Sequence, residues 1–389
     1  MKNHSREIII LFFSLFLVMV GFGIIIPILP FFVTRLNGNA TALGFLMASY
    51  SLMQFFFAPF WGRLSDRIGR RPVLLIGLSG YGITFILFGL STQLWMLFSA
   101  RILSGIISSA TLPTAMAYIS DITASKDRAG GMGTMGAAMG LGMIFGPALG
   151  GWLGHYSFSL PFFVAGGLAI LTLPFAWFFL TESLKEPGVS TQEGRRLSLE
   201  ISKNPQFPLF IVAFVVSFSM AMFESTFALF AAARVGFGPR EMGLLFTVIG
   251  VLSVIIQAGM IGRFVNRFGD AMVITAGIVI SVIGFLLLMA APNAAFIIVY
   301  AGIFTAGNSL LRPSISTLVT KTAREEEQGS AVGIMQSFDS LGRILGPVTG
   351  GIVFDFNINF PYLLGIMVLI AVLLFFKRHQ ANFSMESRA

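Results

Sequence analysis

Long apolar runs separated by short polar segments make up almost all of this chain. The runs last about 20 residues without strict alternation, a length that matches the hydrocarbon core of a bilayer. Since no water is available there, the backbone must satisfy its own hydrogen bonds, and each run is predicted to be a transmembrane helix. We predict twelve spans, at residues 8–33, 42–62, 72–91, 95–119, 131–154, 159–180, 208–233, 242–262, 272–290, 295–319, 330–354 and 360–377.

The longest polar segment lies near the middle of the chain. It covers residues 181–207 and contains eight charged side chains. We expect it to be a cytoplasmic linker between an N-terminal half, residues 1–180, and a C-terminal half, residues 208–389, with six spans each. The first apolar run is too long for a signal peptide and is expected to be retained.

Lysine and arginine predict the orientation of the spans. With the N-terminus inside, nineteen of the 25 basic residues lie in inner loops, the linker or the tails, whereas the outer loops hold Arg35, Arg234 and Arg240. Because short cytoplasmic loops are enriched in Lys and Arg, both termini are predicted to face the cytoplasmic side of the cell membrane. The net charge of +8 then follows from topology, and we expect no nucleic-acid partner.

Two segments recur at an offset of 200 residues. GRLSDRIGRR at 62–71 returns as GRFVNRFGD at 262–270, and GPALGG at 146–151 returns as GPVTGG at 346–351. This spacing predicts two pseudo-symmetric six-helix bundles, and parallel repeats with a site near the midplane are typical of secondary transporters. A duplicated scaffold without a transport path is the alternative, and polar residues inside the spans argue against it.

The first of these segments, 62–71, is predicted to be a tight turn between spans two and three. Its second copy carries Asn266 in place of Asp66 and Asp270 in place of Arg70. We therefore expect a charge cluster at the inner surface of the first half only.

Composition excludes several classes of protein. The chain is 56% hydrophobic and 11% charged, and its mean hydropathy is +0.86, whereas soluble proteins carry about 25% charged residues. It has no cysteine and three scattered histidines, so no disulfide, metal site or Ser–His catalytic pair is expected. Neither GxxxxGKS nor GxxxxGKT is present, so ATP is not expected to drive the protein, and no other cofactor is indicated.

Glu224 is the sharpest single candidate for a functional residue inside a span. It lies in span seven with no basic residue within one helical turn, and an ionised carboxylate in hydrocarbon costs roughly 2.5–3.5 kcal/mol. It is therefore expected to face a cavity, where it can load and release a proton or bind a cation. A permanently protonated, hydrogen-bonded carboxyl group is the alternative.

Three further charges lie within the C-terminal spans. Asp339 and Arg343 are four residues apart on one face of span eleven, and Arg312 lies in span ten. Asp339 either forms an internal ion pair with Arg343 or acts as a second proton site biased by Arg343 and Arg312. The sequence leaves both interpretations open.

Four signatures resemble those of the major facilitator superfamily, and within it the twelve-span drug:proton antiporters. They are residues 62–71, GFGIIIPILP at 21–30, RILSG at 101–105 and GMIFGPALGG at 142–151. The resemblance covers nearly the whole chain and is strongest to bacterial quinolone and multidrug efflux proteins, through residues 219–224 and 311–313. It implies the major facilitator fold, an all-α integral membrane architecture of twelve helices.

The resemblance also implies a role for the charged segment between spans two and three. Asp66 and Arg70 would form a cluster with Asp121 at the inner end of span four, with Gly62 and Gly69 in the turn. This cluster would act as a conformational latch that does not contact the drug.

Spans four and five carry two further implied roles. Arg101 would gate proton movement, unless its long side chain extends outward to water. The glycine-rich fifth span would form a pliable seam between the halves that limits proton leak, and plain helix packing is the alternative. The seam residues are Gly142, Gly146, Pro147, Gly150 and Gly151.

A central cavity would be lined by spans one, four, seven and ten. Its aromatic and Met side chains would accept lipophilic cations by packing and cation–π contact, and its polar side chains would orient the ligand. The candidates are Phe22, Gln54, Met116, Phe223, Phe227, Gln257, Phe304, Asn308 and Ser309. Close relatives place an Asp at the position of Ser309, so in this chain Asp339 would have to supply any second carboxylate.

Together these features predict a secondary active transporter, not an enzyme. It would export amphipathic, cationic drugs from the cytoplasm in exchange for protons by alternating access, as a monomer whose partners are lipophilic small molecules and membrane lipids. A narrow exporter of tetracycline-type compounds, sugars or a lipid remains open, because one sequence does not separate cargoes. A polytopic membrane enzyme is the remaining alternative, but His155 and His379 have no acidic companion that would complete a catalytic pair.

Overall fold

The computed structural model describes residues 5–123, 128–184, 204–324 and 327–386. The part of the predicted linker from 185 to 203 lies outside these residues. Within the described ranges the chain is helical and contains no strand. The long apolar runs therefore form helices, as the absence of alternation predicts.

The described residues form twelve long helical segments, each of which coincides with one predicted span. They are α1 (Ser5–Arg35), α2 (Ala40–Ile68), α3 (Arg70–Gly89), α4 (Leu94–Ile122), α5 (Arg128–Tyr156), α6 (Leu160–Phe179), α7 (Phe207–Val235), α8 (Pro239–Phe268), α9 (Asp270–Met289), α10 (Ala294–Thr322), α11 (Gln328–Phe356) and α12 (Phe360–Glu386). Eleven of these are long and apolar enough to cross a membrane. The remaining one, α11, has 29 residues but is less apolar, since Asp339, Arg343 and several Ser and Gly residues lie within it.

Two of the segments contain an irregular turn. α4 passes through a 3₁₀ turn at Ser108–Ala110, and α8 passes through a π-helical turn at Ile256–Met260. π-Helical turns inside α-helices occur frequently at functional sites. The turn in α8 contains Gln257, one of the predicted cavity residues.

The charged segment 62–71 contains the predicted tight turn, but the turn is confined to one residue and the rest of the segment is helical. α2 continues through Gly62 to Ile68, α3 begins at Arg70, and the chain reverses at the single residue Gly69, whose φ is 104°. Only glycine adopts this backbone conformation without strain. By contrast, a Cβ at Gly62 would meet no atom within 4 Å, so packing does not require glycine there.

The first of two compact units contains the described residues of Met1–Gly38, Ser49–Gly194 and Gly238–Thr247. In this unit α1 packs along α5, and α3 packs along α6 and α4. Glycines allow the helix backbones to approach closely. A Cβ at Gly150 of α5, for example, would lie 3.0 Å from the Cα atom of Ile24 on α1.

The second compact unit contains the described residues of Asn39–Ala48, Arg195–Phe237 and Val248–Ala389. Here α7 packs along α11, and α9 packs along α10 and α12. The start of α2 belongs to this unit because Asp355 of α11 accepts hydrogen bonds from the backbone N–H groups of Ala40 and Thr41, at 3.1 and 3.0 Å. These donors at a helix N-terminus have no partner within the helix itself. The units thus differ from the predicted halves at residues 39–48 and 238–247.

Candidate functional site

Glu224 lies in the middle of α7 and is half-buried. Two guanidinium groups, those of Arg343 on α11 and Arg312 on α10, act on its carboxylate electrostatically. Asp339 also lies in this group, because its side chain contacts both α7 and α10. The second unit therefore gathers two acids and two arginines from three helices, which we call the C-terminal charge group (Glu224, Arg312, Asp339 and Arg343).

The ion-pair partner of Asp339 is Arg312. Of the two interpretations that the sequence left open, the internal pair with Arg343 is not the one that the structure shows, and a role of Asp339 as a proton site stays a prediction. The Nε atom of Arg312 lies 3.6 Å from one carboxylate oxygen of Asp339, and Ser217 of α7 donates a hydrogen bond of 2.7 Å to the other. Asp339 is only 5% exposed. Its burial against α7 and α10 turns the carboxylate away from the next turn of its own helix.

A chain of neutral polar groups lies beside the π-helical turn of α8. Gln257 donates a hydrogen bond of 2.8 Å to Ser253, whose hydroxyl is 2.8 Å from that of Ser309 on α10. Ser309 is 6% exposed. Sequence reasoning missed Ser253, although its spacing of four residues from Gln257 places both on one helix face.

Arg101 of α4 is 2% exposed, so its side chain does not extend to water. Its guanidinium carbon lies 4.4 Å from the centre of the Tyr50 ring, which is within the range of a cation–π interaction. The two side chains border a small pocket in the first unit that also contains Phe22, Tyr81 and Ser104. Tyr50 was not predicted, because a tyrosine within an apolar span carries no distinctive sequence signal.

Asp66, Arg70 and Asp121 lie together at the end of the first unit that is predicted to face the cytoplasm. Arg70 forms ion pairs with Asp66 at 2.5 Å and with Asp121 at 3.1 Å, and it donates a hydrogen bond of 2.6 Å to Ser65. Arg70 as a whole is 9% exposed. We call these residues, with Glu182 described next, the N-terminal charge cluster.

Glu182 caps the N-terminus of α3 and was missed as a functional residue. Its carboxylate accepts hydrogen bonds from the backbone N–H groups of Arg70 and Arg71, at 2.8 and 3.2 Å. A carboxylate at this position satisfies free donors and complements the helix dipole. Its position in the sequence could have indicated this role. Glu182 is the first acid after span six, and span six ends on the side of the unit where α3 begins.

The second unit contains an ion pair where no cluster was expected. Lys321 near the C-terminal end of α10 lies 2.6 Å from Asp270 at the start of α9. These positions are offset by 200 from Asp121 and Arg70. The second half therefore has an ion pair at this place whose charges are reversed relative to the first half. A charge cluster that acts as a latch in the first half only stays a prediction.

The predicted seam residues of α5 mostly pack within the first unit. Gly142, Gly146 and Gly150 lie against the backbone of α1, whereas Gly151 faces Gly243 in the first turns of α8, where a Cβ would lie 2.6 Å from the Cα atom. Pro147 lies inside α5. The geometry shows close helix packing, and a role in limiting proton leak stays a prediction.

Three of the predicted cavity residues are instead part of an aromatic core. Phe223, Phe227 and Phe304 are at most 1% exposed, and their rings stack with one another and with Phe285 of α9 at centroid distances of 4.1–4.6 Å. This correction follows from packing, because the face of α7 that carries Phe223 and Phe227 is turned toward Phe304 of α10 and Phe285 of α9. Phe22, Gln54, Met116 and Asn308 are half-buried, and Gln257 is exposed.

Comparisons with known proteins agree with this architecture. A family model described as Major Facilitator Superfamily matches residues 11–261 and 209–384. Multidrug resistance protein 2 of Bacillus subtilis (strain 168) is 32% identical over 382 residues, covering 95% of this chain and 94% of the relative. Quinolone resistance protein NorA of Staphylococcus aureus (strain COL) is 28% identical, covering 97% and 98% of the two chains.

Solved structures share the fold at low identity. The nucleoside transporter NupG superimposes with a TM-score of 0.81 at 15% identity, covering 96% of this chain and 99% of that one. A bacterial homologue of the human lysosomal transporter Spinster gives a TM-score of 0.77 at 16% identity, covering 100% and 98%. The predicted fold of membrane-spanning helices is confirmed, and the protein is a transporter, not an enzyme. With a family match across both repeats, this multi-pass membrane chain belongs to the major facilitator superfamily.

Proposed function

We propose that this protein exports amphipathic, cationic drugs from the cytoplasm in exchange for protons. The exchange uses alternating access of two six-helix halves in the cell membrane, with both termini on the cytoplasmic side. The names of its relatives, two multidrug resistance proteins of Bacillus subtilis and a quinolone resistance protein, support drugs as the cargo. The proton is the coupling ion, and no bound cofactor takes part.

The observation that carries the proposal is the position of Glu224. Its carboxylate is half-buried in the middle of a membrane-spanning helix, where an unpaired charge is costly. Burial disfavours the ionised form of this carboxylate, whereas Coulomb attraction to Arg343 and Arg312 favours it, and a bound proton removes the charge altogether. A cationic drug and a proton therefore compete for the same carboxylate, which is the requirement for exchange.

The N-terminal charge cluster has a different part in the proposal. Its ion pairs join the start of α3 to the inner end of α4 and lie far along these helices from their outer ends. We assign it to the conformational change and not to drug recognition. The cluster would thus set the turnover rate and leave drug affinity nearly unchanged.

The test is proton-driven dye export by the protein in proteoliposomes. In Glu224→Gln, ethidium export under an imposed pH gradient should fall about tenfold or more, because an amide neither carries the proton nor neutralises the cation. The matched control is Glu241→Gln, since Glu241 lies at the exposed start of α8 and accepts a hydrogen bond from Gly238. Wild-type export by Glu224→Gln would contradict the assigned role.

A further inference from the structure

We propose that the first unit binds one small monovalent anion, such as a halide ion, beside Arg101. The anion comes from solution and balances the charge of a guanidinium group that is buried within a membrane-spanning helix. The inference goes beyond the proposed function and does not involve Glu224, so each can be tested without the other.

The charge of Arg101 has no acidic partner in the part of the chain that the structure describes. Within these ranges Arg101 forms no ion pair, whereas Arg70 and Arg312 do. Arg101 is only 2% exposed, and a guanidinium group stays charged at physiological pH. Burial of an unpaired charge is strongly unfavourable, so a counterion is expected beside it.

The ring of Tyr50 compensates the charge of Arg101 only in part. The guanidinium carbon lies 4.4 Å from the ring centre, but a cation–π attraction is weaker than the cost of moving the charge out of water. The Nε–H group of Arg101 is also buried without a hydrogen-bond acceptor among the described residues. Such donors are rare in folded proteins. A water molecule would satisfy this donor, whereas an anion satisfies it and balances the charge as well.

Arg101 borders a cavity of about 20 Å³ in the first unit. One water molecule needs about 10–15 Å³, so this cavity has room for a particle of about the size of a halide ion. The other polar side chains in its lining are Tyr50, Tyr81 and Ser104, and the rest of the lining is apolar. The lining contains no acid that would repel an anion.

Ser104 supplies a second hydrogen-bond donor to this cavity. It lies three residues after Arg101 on the same face of α4 and is 2% exposed. Its hydroxyl is 3.5 Å from that of Ser108, which is the outer limit of a hydrogen bond. The hydroxyl of Tyr81, by contrast, donates to the carbonyl oxygen of Leu17 at 3.3 Å. The site therefore offers one charged donor and one neutral donor.

The lining also predicts which anions bind. Apolar walls and two donors replace few of the contacts that an ion makes in water, so bromide, which is more weakly hydrated, should bind more tightly than chloride. Sulfate carries two charges, and gluconate is too large. The carboxylate of a drug has the right charge, but the carbon skeleton attached to it does not fit into about 20 Å³.

The experiment measures the melting temperature of the full chain in detergent at constant ionic strength. Replacing sodium gluconate by sodium bromide should raise this temperature by about 2 °C or more, chloride should raise it less, and sulfate and benzoate should have no effect. In Arg101→Gln the bromide shift should disappear. The matched control is Arg35→Gln, which removes an exposed guanidinium group over the ring of Phe158 and should keep the shift.

Two outcomes of this measurement would overturn the inference. A bromide shift that persists in Arg101→Gln would place the anion elsewhere. A shift with benzoate larger than that with bromide would assign the site to the carboxylate of a drug. Bromide can also be located directly by anomalous scattering from crystals, and it should lie within hydrogen-bond distance of the Nε atom of Arg101. Bromide found only at other places would contradict the site.

Two serine variants keep the test valid if Arg101→Gln does not fold. Ser104→Ala removes the neutral donor and keeps the charge, and it should raise the half-saturating bromide concentration about tenfold, because a hydrogen bond to a charged group is lost. Ser109→Ala removes a buried hydroxyl that donates to the carbonyl oxygen of Ile106 at 2.8 Å and does not line the cavity. It should leave that concentration unchanged, and equal effects of the two variants would overturn the inference.

Discussion

The two units join corresponding helix ends with ion pairs of opposite polarity. In the first unit Arg70 at the start of α3 pairs with Asp121 at the end of α4, at 3.1 Å. In the second unit Asp270 at the start of α9 pairs with Lys321 at the end of α10, at 2.6 Å. The members of the two pairs are offset by 200 residues, so the repeat has kept the contact and reversed its polarity.

The surroundings of the two pairs differ as well. Arg70 has additional partners in Asp66 and Ser65, and Glu182 holds the backbone at the start of its helix. Lys321 is 54% exposed along its side chain. The joining of two helix ends is therefore common to both units, whereas the network that could control a conformational change belongs to the first unit.

Reversing the charge of the first pair should have the largest effect. Arg70→Asp places three carboxylates together, and it should lower the free energy of unfolding by about 2–3 kcal/mol and abolish most transport. This figure is below that of a fully buried pair because Asp66 and Asp121 are 34% and 28% exposed. Arg70→Asp/Asp121→Lys copies the polarity of the second unit and should recover part of both losses, measured by thermal unfolding in detergent and by dye export.

The matched control for this cycle is Asp270→Lys/Lys321→Asp, which copies the polarity of the first unit into the second. Because Lys321 has few partners, this exchange should be tolerated with transport close to wild type. Equal damage from the two exchanges would mean that the surrounding network of Arg70 is unimportant, and the contrast between the units would fail.

Alanine at the two turn glycines should separate backbone strain from crowding. Gly69 and Gly269 have φ of 104° and 79°, so each substitution should cost about 1–3 kcal/mol because other residues adopt this positive-φ backbone only under strain. A Cβ at Gly69 would also collide with the Glu182 carboxylate, while at Gly269 it would meet nothing within 4 Å. Gly69→Ala should therefore unfold at a lower temperature than Gly269→Ala, and equal melting temperatures would argue against a cap by Glu182.

The smallest effect is expected from removing the lysine of the second pair. Lys321→Met should cost about 1 kcal/mol or less, since half-exposed ion pairs contribute little. Asp270 is 7% exposed and would be left without its cation, so Asp270→Asn/Lys321→Met should restore part of the loss. If Lys321→Met proved as damaging as Arg70→Asp, the second pair would be more than a simple helix contact.

The apolar pattern predicted the helices well, because a bilayer demands a certain length of apolar chain whatever the tertiary contacts are. The same pattern placed the helix ends wrongly at segment 62–71, because a helix can continue beyond the apolar run into polar residues. The offset of 200 residues also contained information about a second ion pair. Applied to Asp121 and Arg70, it leads to Lys321 and Asp270, which form that pair.

The side-chain partners were harder to predict, because they depend on how each helix is rotated about its axis. The sequence left open whether Asp339 pairs with Arg343 on its own helix, and in the structure it pairs with Arg312 on α10. Phe223 and Phe304 were expected at a cavity, yet they lie in a core of stacked rings. A single sequence shows which residues are polar or aromatic, but a rotation of half a turn moves a side chain from one environment to the other.

Because of the π-helical turn at Ile256–Met260, residues that correspond in the two sequence repeats do not point in the same direction around their helices. A π turn accommodates about one more residue than an α-helical turn, and one residue corresponds to about 100° around the helix axis. Arg263 and Arg267, which follow this turn, therefore point in a different direction around α8 from that of Arg63 and Arg67 around α2. Corresponding residues of the two copies therefore lie at different angles around their helix axes. If the copies are superimposed residue by residue, the arginines after the turn do not fall on the same helix face.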